Sequence, residues 1–316
     1  MVNLTGRFHW KRSLQNYIGN DESKDTEDSM IIEIVKLIRP QHYIKNLFVL
    51  APIFFSGLLT NEALLTQSLI AFILFSLAAS SIYILNDIMD VFEDRLHPKK
   101  KNRPIASGSI PVSTAWVILT CFVTASLVGS WYISANLTYV LISYIVMNIL
   151  YSLGMKHLSI IDVTIISIGF VLRIFAGSVI IETDPSMWII LMTFLLSFFL
   201  GLSKRRDDVL MSTSGLKARK NIDGYNLDFV NAAMVVMASV VIFSYISYTI
   251  ADSVQERLDT DYLYLTVIFV IVGIFRYFQI AFVEENSGSP TKIMINDRFS
   301  QINIAIWLAT FSYIIY

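Results

Sequence analysis

From residue 43 onward the chain alternates long apolar runs with short polar breaks, the runs falling at roughly 43–59, 64–86, 112–131, 137–153, 160–181, 187–203, 229–251, 261–283 and 301–316. A helix needs about 20 apolar residues to cross a bilayer. The pattern therefore predicts nine membrane-spanning helices, with the two chain ends on opposite sides. Ahead of them, residues 31–39 place Ile31, Ile34, Val35 and Ile38 on one helical face and Glu33, Lys36 and Arg39 on others. That is a short amphipathic helix lying in the membrane interface, stopped by Pro40, which cannot continue a helical ladder. Residues 1–30 are polar, carry Asp21, Glu22, Asp25, Glu27 and Asp28, and lack the apolar core of a signal peptide. They are expected to form a poorly ordered cytoplasmic tail. No shift in composition divides the rest, so 31–316 is expected to be a single all-α transmembrane domain.

Composition agrees with the pattern. Of 316 residues 55% are hydrophobic and only 16% charged, and the mean hydropathy is +0.60, which excludes an ordinary soluble domain. The net charge of -1 hides a strong segregation. Lys and Arg crowd the segment through Lys45 and the loops after the second and sixth spans, whereas the loops on the opposite side hold only Arg257. By the positive-inside rule the amino terminus and the charged loops face the cytoplasm, in the inner (plasma) membrane. The one cysteine, Cys121, rules out a disulfide within the chain and a cysteine-based metal site. His42, His97 and His157 are scattered, and no HExxH, Gly-x-Ser-x-Gly or Walker pattern occurs, so a hydrolase or ATPase has no support.

The chemistry concentrates in residues 81–108, SIYILNDIMDVFEDRLHPKKKNRPIASG. Asp87, Asp90 and Asp94 stand at i, i+3 and i+7, on one face of a helix, with Asn86 at its edge. Three carboxylates so placed repel one another unless a cation sits among them. A hard cation such as Mg²⁺ suits oxygen ligands, above all when phosphates fill its other positions. Lys99, Lys100, Lys101 and Arg103 follow and are natural phosphate partners. Acids for a metal followed by bases for phosphates suggest a diphosphate site, the bland alternative being a helix end with a solvated charged loop. Further along, Tyr151 and Lys156 precede Asp162, whose carboxylate inside a span is costly and calls for a partner such as Lys156 or Arg173. After the sixth span comes Ser203-Lys204-Arg205-Arg206-Asp207-Asp208, where Asp208 follows Lys204 at i+4. Asp297-Arg298 is less specific.

Asn86-Asp87-x-x-Asp90-x-x-x-Asp94, followed by Asn102-Arg103-Pro104-Ile105 and Gly108, resembles the first signature of the UbiA superfamily of intramembrane prenyltransferases. The segment Tyr151 to Lys156 resembles the next. The resemblance runs from about Arg39 to the carboxyl end and implies an all-helical membrane bundle. Typical members carry a second acidic motif after the sixth span, for a second Mg²⁺ on a prenyl diphosphate, and here bases lead that stretch. With Arg39-Pro40-x-x-x-x-Lys45-Asn46, Gly169-Phe170-x-x-Arg173, Lys204-Arg205-x-x-Asp208 and Ser289-Pro290 before Asp297-Arg298, the chain looks like the decaprenyl-phosphate phosphoribosyltransferase branch. The resemblance implies a Mg²⁺-dependent pentosyltransferase. It would move a 5-phosphoribosyl group from 5-phosphoribosyl-1-diphosphate to a polyprenyl phosphate in the bilayer, for an arabinan-type cell-wall precursor. The extra 5-phosphate of that donor calls for more cationic donors, which Lys and Arg in place of carboxylates supply.

On this reading Asp87 and Asp90 are the catalytic acids and, with Asp94, the metal ligands. Asn86, Lys101, Arg103, Tyr151, Lys156, Asp162, Lys204, Arg205 and Asp208 bind the donor, Asp162 through ribose hydroxyls. Arg39 and Lys45 meet the acceptor phosphate. No nucleic acid is an expected partner, and the crowded apolar surfaces are compatible with a homo-oligomer. Two other readings share some of these features. An ordinary UbiA-type prenyltransferase joining a prenyl diphosphate to an aromatic acceptor keeps the fold and first motif and differs at 203–208. A transporter would use Asp162 and Arg173 along a path, but transporters place ionisable groups near the midplane, and here nearly all lie at one face.

Overall fold

A computed structural model describes residues 30–98, 100–213, 224–285 and 290–316. The polar tail up to Ser29, Lys99, the loop bases Lys217, Arg219 and Lys220, and Ser289 lie outside the described residues. In chain order the helices are α1 (30–38), α2 (Ala51–Phe55), α3 (Glu62–Met89), α4 (Val91–Leu96), α5 (Pro104–Ser107), α6 (Val112–Ile133), α7 (Ala135–Leu153) and α8 (Ile161–Ile180). They continue as α9 (Met187–Thr213), α10 (Leu227–Thr249), α11 (Asp252–Leu258), α12 (Val267–Phe278), α13 (Pro290–Asn296) and α14 (Arg298–Ile315). No strand occurs among the described residues. Among the described residues seven segments are long and apolar enough to cross a membrane: α3, α6, α7, α8, α9, α10 and the segment Tyr262–Val283 that contains α12. The chain is a multi-pass, all-α membrane protein.

The first expected run, 43–59, takes a different form. It is a 3₁₀ helix from Pro40 to Leu50 followed by the short α2. Pro40 opens the first piece and Pro52 sits in the first turn of the second. Neither has an N–H to give to an α-helical ladder, so an apolar run of the right length does not become one long helix. The last expected run is α14, 18 residues long.

The described chain forms two compact units, one of residues 30–44 and 76–126, the other of 45–75 and 127–316. In the first unit Leu37 of α1, Ile84 of α3, Val91 of α4, Ile105 of α5, Ala115 of α6 and Ile110 from the turn before α6 form a buried cluster, with Ile34, Ile38 and Ile88 against it. The amphipathic helix therefore splits its apolar surface. Leu37 is fully buried while Met30, Ile31, Ile32 and Val35 are exposed, as suits a helix resting at a bilayer interface. Its last turn is tied down where Ser80 Oγ donates to the Ile38 carbonyl at 2.9 Å, satisfying one of the carbonyls a helix end leaves without a partner.

In the second unit α9 packs on both α8 and α10. Leu195, Phe199, Leu202 and Val209 of α9 meet Val230, Met234, Ala238 and Val241 of α10 and Ile274 and Tyr277 of α12. Lipid tails are as apolar as these side chains, so close packing rather than water exclusion draws such helices together, and small residues permit it. Gly177 of α8 is the tightest case. A Cβ there would lie 2.0 Å from the carbonyl oxygen of Val49 and 2.9 Å from Cδ of Pro52. Replacing Gly177 with Ala is expected to force the 3₁₀ segment away from α8 and cost roughly 1–3 kcal/mol. Thermal unfolding in detergent reads this as a clear fall in Tm, and an unchanged Tm would refute the close approach.

Candidate active site

The acidic signature lies where α3 runs into α4. Asp90 occupies the turn between them, yet the ladder carries through it: Asp90 N–H donates to Asn86 O at 2.9 Å and Asp94 N–H to Asp90 O at 2.8 Å. Helical register is thus kept across the break, which brings Asp87 and Asp94 toward one place. Both are buried, at 2% and 1% exposure. A buried carboxylate needs charged partners, and the sequence supplies them on both sides. Arg103, just before α5, donates through Nη1 to Asp87 Oδ1 at 2.9 Å and to Asp94 Oδ2 at 2.6 Å. Arg39, at the end of α1, donates through Nη2 to both oxygens of Asp87 at 2.5 and 2.6 Å, its guanidinium 5.4 Å over the Tyr83 ring. Lys100 Nζ stands 3.7 Å from Asp94 Oδ1. Arg39 has φ 55°, a left-handed conformation costing a non-glycine residue roughly 1–3 kcal/mol, and it stands directly before Pro40, where helical conformations are disfavoured.

Arg39, read as an acceptor residue, therefore joins Asp87, read as a metal ligand. Asn86 and Asp90 are half-buried beside them and Lys101 is exposed. Among the described residues no three His, Cys, Asp or Glu converge as a ready-made metal cluster. Asp87 and Asp94 nevertheless aim one oxygen each at the same cationic nitrogen, Arg103 Nη1. Two buried hard-oxygen donors already arranged about a positive charge fit Mg²⁺, with diphosphate oxygens and water completing the shell.

The second unit holds the other predicted residues. Asp162, in the first turn of α8, and Arg205, in α9, are both fully buried and pair through Arg205 Nε and Asp162 Oδ2 at 2.7 Å. Arg205 Nη1 also pairs with Asp208, one helical turn on. Asp162 thus has a partner in α9, and Arg173 is not one. Arg173 sits eleven residues further along the same helix, about 16 Å away at 1.5 Å per residue, beyond side-chain reach. It is held instead by Asn46 Oδ1 at 2.9 Å and Gly169 O at 2.6 Å, with its guanidinium about 5 Å from the rings of Phe75, Tyr144 and Phe170. Tyr151, Lys156, Lys204 and Lys45 are half-buried. Arg206 points elsewhere, donating to Asn231 Oδ1 at 2.9 Å and to Ala281 O at 2.6 Å. Ala281 lies in a π-helical turn, which loosens the ladder and leaves carbonyls to accept from other groups.

One member of this set escapes sequence reasoning. Tyr225 donates its phenol proton to Asp162 Oδ1 at 2.8 Å and accepts the N–H of Ile160 at 2.6 Å. It lies 63 residues from Asp162 with no motif to flag it. Asp297-Arg298 has a structural use. Asp297 caps α14, accepting from Ser300 N–H at 2.9 Å, and takes two bonds from Arg276 at 3.2 and 2.8 Å. Chiefly through those Arg276 bonds, and then through Ser300, its carboxyl is held well below the usual carboxylate range. A depressed pKa gives stability that is complete above the ordinary value near 4 and fades as pH falls through the folded one. Asn at 297 keeps the cap and removes the charge. The Tm gap between wild type and Asp297→Asn should be constant from about pH 8 to 5 and close below about pH 4; a gap that widens in acid would contradict the pairing.

The sequence model of the UbiA prenyltransferase family matches residues 49–295. The decaprenyl-phosphate phosphoribosyltransferase of Mycolicibacterium smegmatis is 33% identical over 299 residues, covering 91% of this chain and 94% of that one. That of Mycobacterium tuberculosis is 29% identical over 287 residues, covering 89% and 94%. Among solved structures, a UbiA homolog from Archaeoglobus fulgidus bound to GPP and Mg²⁺ superposes with a TM-score of 0.67 at 18% identity, over 90% of this chain and 99% of that one. At that identity the likeness shows the fold.

Proposed function

The chain belongs to the UbiA prenyltransferase family, and we propose that it transfers the 5-phosphoribosyl group of 5-phosphoribosyl-1-diphosphate to a polyprenyl phosphate, releasing diphosphate. The observation that carries this is the likeness, along most of both chains, to decaprenyl-phosphate phosphoribosyltransferases. The buried Arg205 of α9, where ordinary members are expected to carry acids, agrees with it. The proposal takes 31–316 as one functional domain, since α3 and α6 each contribute residues to both compact units.

In the reaction the C1–O bond of the donor breaks, its electron pair leaving with diphosphate, and an oxygen of the lipid phosphate forms the new bond to C1 from the opposite face. Asp87 and Asp94, with Asp90, would hold Mg²⁺, which would supply Lewis-acid stabilisation of the departing diphosphate. The chain's own part is positioning and charge. Arg103, with Lys101, offers guanidinium and ammonium donors for phosphate oxygens. In the second unit Lys204, Arg205 and Asp208, with Tyr151, Lys156 and Asp162, serve the donor. Arg39 and Lys45 serve the acceptor phosphate, which is already ionised at neutral pH, so no strong general base is required. The distribution of Lys and Arg along the chain supports a plasma-membrane orientation with these residues on the cytoplasmic side.

The test uses purified protein in detergent with Mg²⁺, polyprenyl phosphate and radiolabelled 5-phosphoribosyl-1-diphosphate. Label is expected to move into the organic phase only with Mg²⁺. A parallel tube holds prenyl diphosphate and an aromatic acid; prenylation there with no label in the first tube would overturn the proposal and leave the fold standing.

A further inference from the structure

The start of α8 is held by an arrangement that packing alone does not require. Ile160, the residue before the helix, has φ 70° and ψ −47°. For a β-branched side chain that is a genuine outlier, costing roughly 1–3 kcal/mol unless its surroundings over-determine it. Tyr225 does so by accepting the Ile160 N–H at 2.6 Å. The approach is close because the preceding residue is glycine: a Cβ on Gly224 would lie 2.1 Å from Ser159 Oγ. The next residue, Asn226, caps α10, accepting the Phe229 N–H at 2.7 Å. Three consecutive residues thus seat the chain on the entry of α8 with the phenol in one orientation.

That orientation has a chemical consequence. With a lone pair of the phenol oxygen engaged by Ile160 N–H, its one proton goes to Asp162 Oδ1 at 2.8 Å. Burial pushes the phenol pKa up, so the proton stays in place across the working range of pH. Asp162 then presents Oδ2 to Arg205 Nε at 2.7 Å, and Arg205 Nη1 meets Asp208. The fully buried guanidinium of Arg205 thus has a carboxylate on each of two sides. Arg205 and Asp208 are donor-binding residues in the proposed function, and the inference rests on that reading. We infer that Tyr225 is a positioning residue for the donor: by fixing Asp162 it fixes the direction in which Arg205 and Asp208 are presented. It touches no reacting atom.

The test is Tyr225→Phe, which keeps the ring and removes only the hydroxyl. Losing one hydrogen bond to a charged group should raise the donor KM about tenfold or more. Acceptor KM should stay unchanged, and kcat at saturating donor should fall less than about threefold. A merely structural role gives the opposite pattern, because a smaller folded fraction lowers kcat and leaves KM alone. An unchanged donor KM in Tyr225→Phe, with wild type active, overturns the inference without touching the proposed function. Absence of phosphoribosyl transfer by folded wild type overturns the proposed function itself. Should Tyr225→Phe not fold, the comparison passes to Ile160→Gly against Ile160→Gly/Tyr225→Phe, since glycine takes a positive φ freely. The same rise in donor KM is expected there, and failure of both Tyr225→Phe proteins to fold assigns the residue to folding and overturns the inference.

Discussion

Asp87→Asn is expected to abolish phosphoribosyl transfer while the protein still inserts, folds and runs as a single species in detergent. Asn matches Asp in shape, and Asp87 is buried at the end of α3, so packing survives. The charge does not. Asp87 meets both Arg39 and Arg103, and in the proposed reaction it also faces the cation on the departing diphosphate. Its replacement turns an acceptor-only group into one whose amide donors oppose two guanidinium groups. Removing a single preorganised group from a site where charge develops costs about 10²–10³-fold in kcat, and loss of a metal ligand adds to that. The measurement is turnover at saturating donor and Mg²⁺, with Tm as the control for folding. Near-normal turnover would remove Asp87 from the chemistry. A similar loss is expected of Asp90→Asn; if Asp90→Asn stays active while Asp94→Asn does not, the working pair is the one that converges on Arg103.

Much of this is legible in the sequence. The long helices follow from apolar run length, and the register of Asp87 and Asp94 from 3.6-residue periodicity, which survives the turn at Asp90 because its hydrogen bonds do. What resisted reading has identifiable causes. Run length carries no information about which hydrogen-bond ladder forms, so the 43–59 segment, interrupted by prolines, was indistinguishable from a spanning helix. Arg205 and Arg206 are adjacent and chemically equal, but about 100° apart around α9. That rotation sends one to Asp162 and the other to Asn231 and Ala281. Of the two cations expected near Asp162, Arg173 is too far along the axis of α8, and Arg205 reaches it from a neighbouring helix that no local spacing announces. Tyr225 reaches Asp162 only because the fold returns the chain there, and its one local signal is the preceding Gly224.

The second large effect concerns that buried pair. Asp162→Ala is expected to destabilise the protein by about 3 kcal/mol or more, the cost of stranding a buried charge, and to abolish activity. Arg205 would lose one of its two carboxylates and keep Asp208, and the phenol proton of Tyr225 would lose its acceptor. The double variant Asp162→Ala/Arg205→Met separates folding from function. Replacing both members of a buried ion pair with apolar side chains is often neutral or better for stability. The double variant should therefore regain most of the lost Tm, in a double-mutant cycle with a coupling well above the few tenths expected of independent sites. It should remain inactive with donor, because the guanidinium that the proposed reaction uses is gone. Recovered stability together with recovered activity would reduce the pair to a structural strut and pass donor binding to Lys204 and Lys156. Stability that is not recovered would mean that hydrogen bonds from Tyr225, rather than the ion pair, hold the entry of α8.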